Sequence, residues 1–170
     1  MTIIIEDGSI VENANSLVTR AEAIAYALTF GITLADEVAT DVYLIKAMQY
    51  FYSIESQLKG YRVDRDQTLP YPRSGVIING FAWESDEIPT EAKTAQLELI
   101  IDLSQSVDIY NRSFSKGVVL EEAVDGAVSR KYADTTTKSL SSNVIKTRAT
   151  EALKPLLNNV GLMSVELMRG

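Results

Sequence analysis

Apolar and polar residues follow each other along this chain in a pattern that predicts short helices separated by a few β elements. The clearest predicted helix begins between Thr33 and Thr40 and ends near Lys59, because its apolar residues recur at helical spacing. These residues are Leu44, Ile45, Met48, Phe51, Tyr52 and Leu58. Such a stripe is typical of a helix face in a core, and we expect Asp41 and Lys46, on other faces, to be solvated.

Three further helices are predicted from their start and stop signals. Thr19 and Glu22 have the spacing of a capping box, so we expect a helix over residues 20–30. Another helix is predicted to begin near Ile88–Pro89, with the proline at the first helical position, and to fade near residue 106. The last predicted helix covers residues 144–157, within which Pro155 would end or kink it.

Turn residues predict two hairpins. Asn79–Gly80 follows a short β-branched run and tolerates the positive φ that a tight turn needs. Asp125–Gly126 lies between two further β-like runs, which predicts a second hairpin near residues 117–132. The opening residues Thr2–Ile5 are β-branched and predict a strand or an extended arm.

Together these elements predict a mainly α fold: a small helical bundle with a β-hairpin and extended N- and C-terminal arms. We expect residues 1–133 to form the helical domain that contains the hairpin. Residues 134–143 are rich in Ser and Thr and predict a linker. Residues 144–170 would then form a C-terminal helix and tail.

Composition excludes several classes of function. The chain is 46% hydrophobic and 23% charged, which is typical of a globular protein, and its apolar runs are far too short to cross a membrane. It contains neither Cys nor His, which excludes disulfides, thiolate or imidazole metal sites and His-based catalysis. Glycine-rich phosphate loops are absent from the sequence as well. We therefore predict no catalytic residue, no cofactor and no metal, and we expect a protein that is not an enzyme.

Charge is unevenly distributed along the chain. The net charge is -7, yet residues 130–170 hold seven basic residues against three acidic ones. This polarity favours a subunit that meets different partners at its two ends, although ordinary local fluctuation of charge explains it equally well. A pI of about 4.7 argues against adhesion to DNA through charge alone.

A proline-punctuated segment over residues 69–75 is the most distinctive stretch of the sequence. Pro70 and Pro72 force an extended path through Tyr71. We interpret Tyr71, Pro72 and Arg73 as a structural motif, in which the tyrosine closes the edge of the core. Arg73 would pair there with a carboxylate or a backbone carbonyl.

Several of these motifs, taken in order, resemble the head–tail connector or adaptor proteins (head-completion and neck proteins) of tailed bacteriophages. Some members of that family are labelled DnaT-like single-stranded-DNA-binding proteins. The residues that carry the resemblance are Thr2–Gly8, Asn13–Val18, Tyr43–Tyr50, Gly60–Arg62, Gln67–Gly75, Ile88–Pro89 and Ala152–Leu157. Where the family commonly has Trp before Pro-Arg, this chain has Tyr71.

The resemblance implies a structural adaptor in the virion neck, assembled in the host cytoplasm. Its partners would be the portal protein, the next neck or tail-terminator protein, and copies of itself in a twelvefold ring. Genomic DNA would pass through the lumen without sequence-specific binding. The alternative function is a DnaT-like replication protein that binds single-stranded DNA, and a small enzyme is the third hypothesis.

The C-terminal segment is predicted to dock on the portal. Its anchors would be Leu153, Leu156 and Leu157, while Lys146, Arg148 and Lys154 would face acidic groups of the partner. A helix of about 14 residues is marginal in water without a packing surface, which is why a partner is invoked. The alternative is that this segment folds back onto its own bundle.

Overall fold

The structure is a computed structural model that describes residues 2–34, 36–110, 119–125, 127–132 and 147–158. The chain divides into two compact units. One unit comprises residues 1–109 together with 147–170, and the other comprises residues 110–146.

Four α-helices dominate the described residues, so the fold is mainly α, as predicted. They are α1 (Arg20–Thr29), α2 (Glu37–Ser53), α3 (Thr90–Ser104) and α4 (Arg148–Leu153). Short 3₁₀ turns extend α2 at Glu55–Gln57 and α4 at Lys154–Leu156. The last helix is therefore shorter than predicted, and Pro155 lies in its closing 3₁₀ turn.

The capping residues in the sequence predicted the first residues of α1 and α3 to within one position. The capping box at α1 is confirmed: the Thr19 side chain accepts from the Glu22 N–H at 3.1 Å, and the Glu22 carboxylate accepts from the Thr19 N–H at 2.7 Å. The same contact holds the pKa of Glu22 below its usual value. At α3, Pro89 is the N-cap and not the first helical residue, a shift of one position.

The core of the first unit lies between α2, α3 and α4, with α1 packed alongside. Helix α2 contributes Leu44, Met48 and Phe51, all essentially buried, as its apolar stripe predicts. Helix α3 contributes Leu99 and Ile100 together with two alanines that allow close approach of the neighbouring helices.

The N-terminal segment packs on this core, which corrects the extended N-terminal arm expected in the fold, although a strand was left open for its first residues. Its residues Ala14, Leu17 and Val18 are buried. Gln96 of α3, fully buried, accepts from the Leu17 N–H at 2.9 Å and donates to the Leu44 carbonyl at 3.2 Å. One side chain thus ties the segment to two helices, since a buried amide is stable only when its hydrogen bonds are made.

Asp41 corrects a second prediction, because it is buried and not solvated. Arg20 of α1 donates to both of its carboxylate oxygens, at 2.8 and 2.9 Å. This two-point contact lowers the pKa of Asp41. The pair joins the first turns of α1 and α2, and its burial explains why a charged residue interrupts the α2 face.

Three antiparallel pairs of strands complete the described structure. The connection between α2 and α3 carries β1 (Tyr61–Arg62), β2 (Arg73–Ser74), β3 (Ile77–Ile78) and β4 (Phe81–Ala82). Strand β1 pairs with β2, and β3 pairs with β4 around the predicted Asn79–Gly80 turn, where both residues have positive φ.

The second unit contains the predicted hairpin near residues 117–132. Its strands are β5 (Val119–Asp125) and β6 (Ala127–Tyr132), which pair antiparallel with Asp125 opposite Ala127. The register also sets Glu121 opposite Lys131. The predicted linker and the last twelve residues of the predicted tail lie outside the described residues.

Candidate nucleic-acid interface

The α2–α3 connection, residues 54–89, is irregular but firmly held. Gln67 is buried at its centre, where its side-chain oxygen accepts from the N–H groups of Val63 and Asp64 at 2.9 and 3.0 Å. Its side-chain nitrogen donates to the carbonyls of Leu69 and Pro72. One amide therefore satisfies four backbone groups that no regular strand or helix would satisfy.

Two arginines anchor the same connection. Arg73 is buried and donates to the carbonyls of Lys59, Gly60 and Pro70 at 2.8, 2.7 and 3.3 Å. Arg62 binds both oxygens of the Glu55 carboxylate, at 2.6 and 2.9 Å, and this contact lowers the Glu55 pKa. The hydrogen bonds from the buried Arg73 therefore hold the backbone just before Tyr61 in place.

Tyr71 lies in the core beneath this connection. Its ring is fully buried and meets Phe51 edge to face, with the ring centroids 6.2 Å apart. Burial raises the pKa of its phenol, and the hydroxyl has no hydrogen-bond partner in the described part of the chain. Tyr71 and Arg73 thus occupy interior positions and are not available to bind a macromolecule.

Two aromatic rings on the outside of the connection contrast with this interior. Tyr61 on β1 is 78% exposed and Phe81 on β4 is 74% exposed, more than any other aromatic residue in the described ranges. Ile77 on β3 is exposed as well. We call Tyr61 and Phe81 the stacking surface.

Gly60 allows the backbone before Tyr61 to lie close to β2. Its φ is +73°, and a Cβ at this position would lie 2.3 Å from the Ser74 carbonyl oxygen. Only glycine permits this approach, which sets Tyr61 directly opposite Ser74 in the β1–β2 pair.

Charge on the α2–α3 connection is mixed. Residues 54–89 contain four basic residues and six acidic ones, and two of the basic residues lie close to Tyr61 in the sequence. Lys59 and Arg65 have no ion-pair partner within the described ranges. Two cations therefore flank Tyr61 at sequence separations of two and four residues, free to meet an anion.

The residues predicted to dock on a partner mostly serve the chain's own core. Leu153 and Leu156 are buried there, and the backbone of Leu157 forms an isolated antiparallel β-bridge with that of Leu58. Lys154 pairs with Glu151 at 2.5 Å, and Lys146 lies outside the described residues. The structure thus has the segment over 147–158 folded back on its own bundle, the alternative left open by the sequence.

Arg148 fastens α4 to the bundle. Its guanidinium lies 3.7 Å from the centre of the Phe30 ring and donates to Glu98 at 2.8 Å. Tyr26 donates to the same carboxylate oxygen at 2.7 Å, and its pKa is raised to about 12, first by burial. One turn further along α3, burial raises the pKa of Asp102.

A search of the described residues finds no group of three or more acidic side chains placed to hold a metal ion. Helices long and apolar enough to cross a membrane are likewise not found among those residues.

Comparison with protein families gives one match that spans the whole chain. The family model described as "Putative DnaT-like ssDNA binding protein" matches residues 1–170. The chain belongs to this family. Neither the curated proteins nor the solved structures contain a match to it.

Membership of the DnaT-like family corrects the main functional hypothesis from the sequence. The resemblance to phage head–tail adaptors was wrong, since the family model that matches is one of single-stranded-DNA-binding proteins and nothing found points to an adaptor. The portal, the neck or tail-terminator protein, the twelvefold ring and DNA merely passing through a lumen are overturned with it. The alternative hypothesis, a DnaT-like single-stranded-DNA-binding protein, is the one that the match favours.

Sequence reasoning missed the stacking surface of this DnaT-like chain. Tyr61 and Phe81 are 20 residues apart, so no local aromatic pattern joins them, and the near-neutral sequence around Tyr61 argues against DNA binding there. A usable signal is present in the sequence, because each ring directly follows a turn glycine, Gly60 or Gly80. Aromatic residues in such positions have little core to enter.

Proposed function

We propose that this protein binds single-stranded DNA by stacking bases on Tyr61 and Phe81. The observation that carries the proposal is the exposure of these two rings on the connection between α2 and α3, in a chain whose family is described by single-stranded-DNA binding. The action is one of binding, with no catalytic step.

Stacking is the main source of affinity in this proposal. Every base has a π face, so an exposed aromatic ring binds single strands with little sequence preference, at about 1–3 kcal/mol per base. The interior hydrogen bonds of Arg73 and Gln67 hold the backbone on either side of Tyr61. Little conformational entropy is then lost when a base arrives.

Phosphate contacts contribute less, because the chain is acidic. Lys59 and Arg65 supply two positive charges beside Tyr61, whereas the net charge of -7 repels a polyanion at longer range. Proteins that rely on a broad basic groove bind duplexes as well as single strands. A surface that relies on stacking favours unpaired bases, since those of a duplex already stack on each other.

The test is fluorescence anisotropy with a labelled oligothymidylate, comparing the unmodified chain with Tyr61→Ala and Phe81→Ala. Each variant loses one stacking platform, so we expect the dissociation constant to rise about 5- to 150-fold per substitution. Leu28→Ala is the control, because it also removes a large, exposed apolar side chain but lies on α1, away from the connection.

Three results would contradict the proposal. The unmodified chain could fail to bind the oligonucleotide at low salt, or a duplex of equal length could bind as tightly. Equal losses for Tyr61→Ala and Leu28→Ala would show that Tyr61 has no special part in binding. Circular dichroism of each variant separates loss of binding from loss of fold.

A further inference from the structure

The extended segment Thr2–Glu6 has one hydrogen-bonded edge and one open edge. On the paired side, the Ile4 N–H donates to the Asn15 side chain at 2.9 Å, and the Ile4 carbonyl accepts from the Asn15 N–H at 2.9 Å. The Glu6 N–H donates to the Ser16 carbonyl at 2.8 Å. The backbone N–H and C=O groups of the even-numbered residues therefore point toward the chain's own neighbouring segment.

Odd-numbered residues present their backbone to the opposite side. The N–H and C=O groups of Ile3 and Ile5 have no hydrogen-bond partner in the described part of the chain. The side chains of Ile3 and Ile5 line a shallow groove together with Ile24 of α1. We call the backbone groups of Ile3 and Ile5 the outer edge.

The outer edge lacks the usual protection against pairing. Native proteins cover an exposed strand edge or mark it with Lys, Pro or a bulge. Residues 2–5 are Thr-Ile-Ile-Ile, uncharged and β-branched, and so well suited to join a sheet. An edge of this composition is suited to pair with a further strand.

We propose that the outer edge pairs antiparallel with the same edge of a second copy of this chain, about a two-fold axis at Ile4. Only this register sets Ile3 of each copy opposite Ile5 of the other. The outward-pointing backbone groups of both residues then meet outward-pointing groups of the partner strand. Four N–H···O bonds then form, two at each end of the pair. The segment is thus complementary to itself.

This arrangement closes at two copies. An isologous contact uses the same edge on both partners, so neither outer edge stays open to a third copy. The contact is small, so the dimer is weak. Because each copy carries a net charge of -7, added salt strengthens the dimer, opposite to its effect on DNA binding.

Disulfide trapping tests the register, because the chain has no cysteine of its own and any disulfide must join two copies. In the proposed pair the two residues at position 4 face each other with Cα atoms about 4.5 Å apart, within disulfide range. The two residues at position 3 are separated by more than about 7 Å, outside that range. We expect Ile4→Cys to form dimers on mild oxidation at least about tenfold faster than the control Ile3→Cys.

Equal rates for the two cysteine variants, or no dimer from either, would overturn the proposal. Sedimentation velocity of the unmodified chain gives a second measurement that does not depend on how the variants fold. We expect a dimer fraction that rises with concentration and is lost in Ile5→Pro, since proline removes an outward N–H that makes no bond within the described chain. A chain that stays monomeric at the highest concentration contradicts the inference.

Discussion

Buried polar side chains determine the irregular parts of this molecule. Gln67 satisfies four backbone groups of the α2–α3 connection, and Gln96 ties the N-terminal segment to α2 and α3. Glu6 does the same for the first loop, where its carboxylate accepts from the N–H groups of Gly8, Ile10 and Val11. Each is a single residue on which a whole segment depends.

The Arg20–Asp41 pair gives a prediction at this scale. We expect Arg20→Ala to lower the free energy of unfolding by about 2–3 kcal/mol at pH 7, because it leaves a buried carboxylate unpaired. The contact depresses the folded-state pKa of Asp41, so its contribution is present above the ordinary value of 3.8 and is lost as pH falls through the folded value. The difference between the two proteins should therefore narrow below about pH 4, measured by urea unfolding.

Glu37→Gln is the matched control for that experiment. Glu37 contacts the same guanidinium at 2.8 Å, but its side chain is 76% exposed. Exposed pairs contribute about 0.2–1 kcal/mol, so we expect a small effect. A loss in Glu37→Gln as large as that in Arg20→Ala would contradict the assignment of the stabilisation to Asp41.

Buried polar residues are also where prediction from the sequence failed. Asp41 and Gln96 look like surface residues in the sequence, because hydrophobic patterning has no way to show that a polar group has partners distant in sequence. The partners of Gln96 lie 52 to 80 positions away. Signals confined to a few residues, such as Thr19 with Glu22 or Asn79–Gly80, were predicted correctly, since their hydrogen bonds and φ angles are local.

At the scale of elements, α4 is stable only because it packs on the helical bundle. Six residues are too few for a stable isolated helix, but Ala149 and Leu153 are buried against the bundle. Thr147 caps its first turn by accepting from the Thr150 N–H at 3.3 Å. The sequence predicted a helix there but left open what it packs on.

We predict that Leu153→Ala lowers the free energy of unfolding by about 2–5 kcal/mol, as expected for a large-to-small change in a core. Leu28→Ala is the control, because Leu28 is also a helical leucine but is exposed; it should change stability by no more than about 0.5 kcal/mol. Chemical denaturation of both variants measures the difference. If the two leucines behave alike, α4 is not part of the core.

At the scale of the whole molecule, the negative net charge predicts that DNA binding depends only weakly on salt. With Lys59 and Arg65 as the two phosphate contacts, the logarithm of the binding constant should fall with the logarithm of salt concentration with a slope of about -1.4. Titrations of oligothymidylate at several salt concentrations give this slope. A slope several times steeper would mean that many more cations contact the strand and that stacking is not the main source of affinity.

The return of the chain to its first unit at Thr147 has a consequence for synthesis on the ribosome. Helices α1 to α3 are complete once Ser104 has been made, but the buried Leu153 and Leu156 follow almost 50 residues later. At about 5–20 residues per second, the growing chain waits roughly 2–10 s with the α4-binding face of α3 uncovered. During that interval the nascent protein offers a holdase chaperone an apolar surface that the finished protein hides.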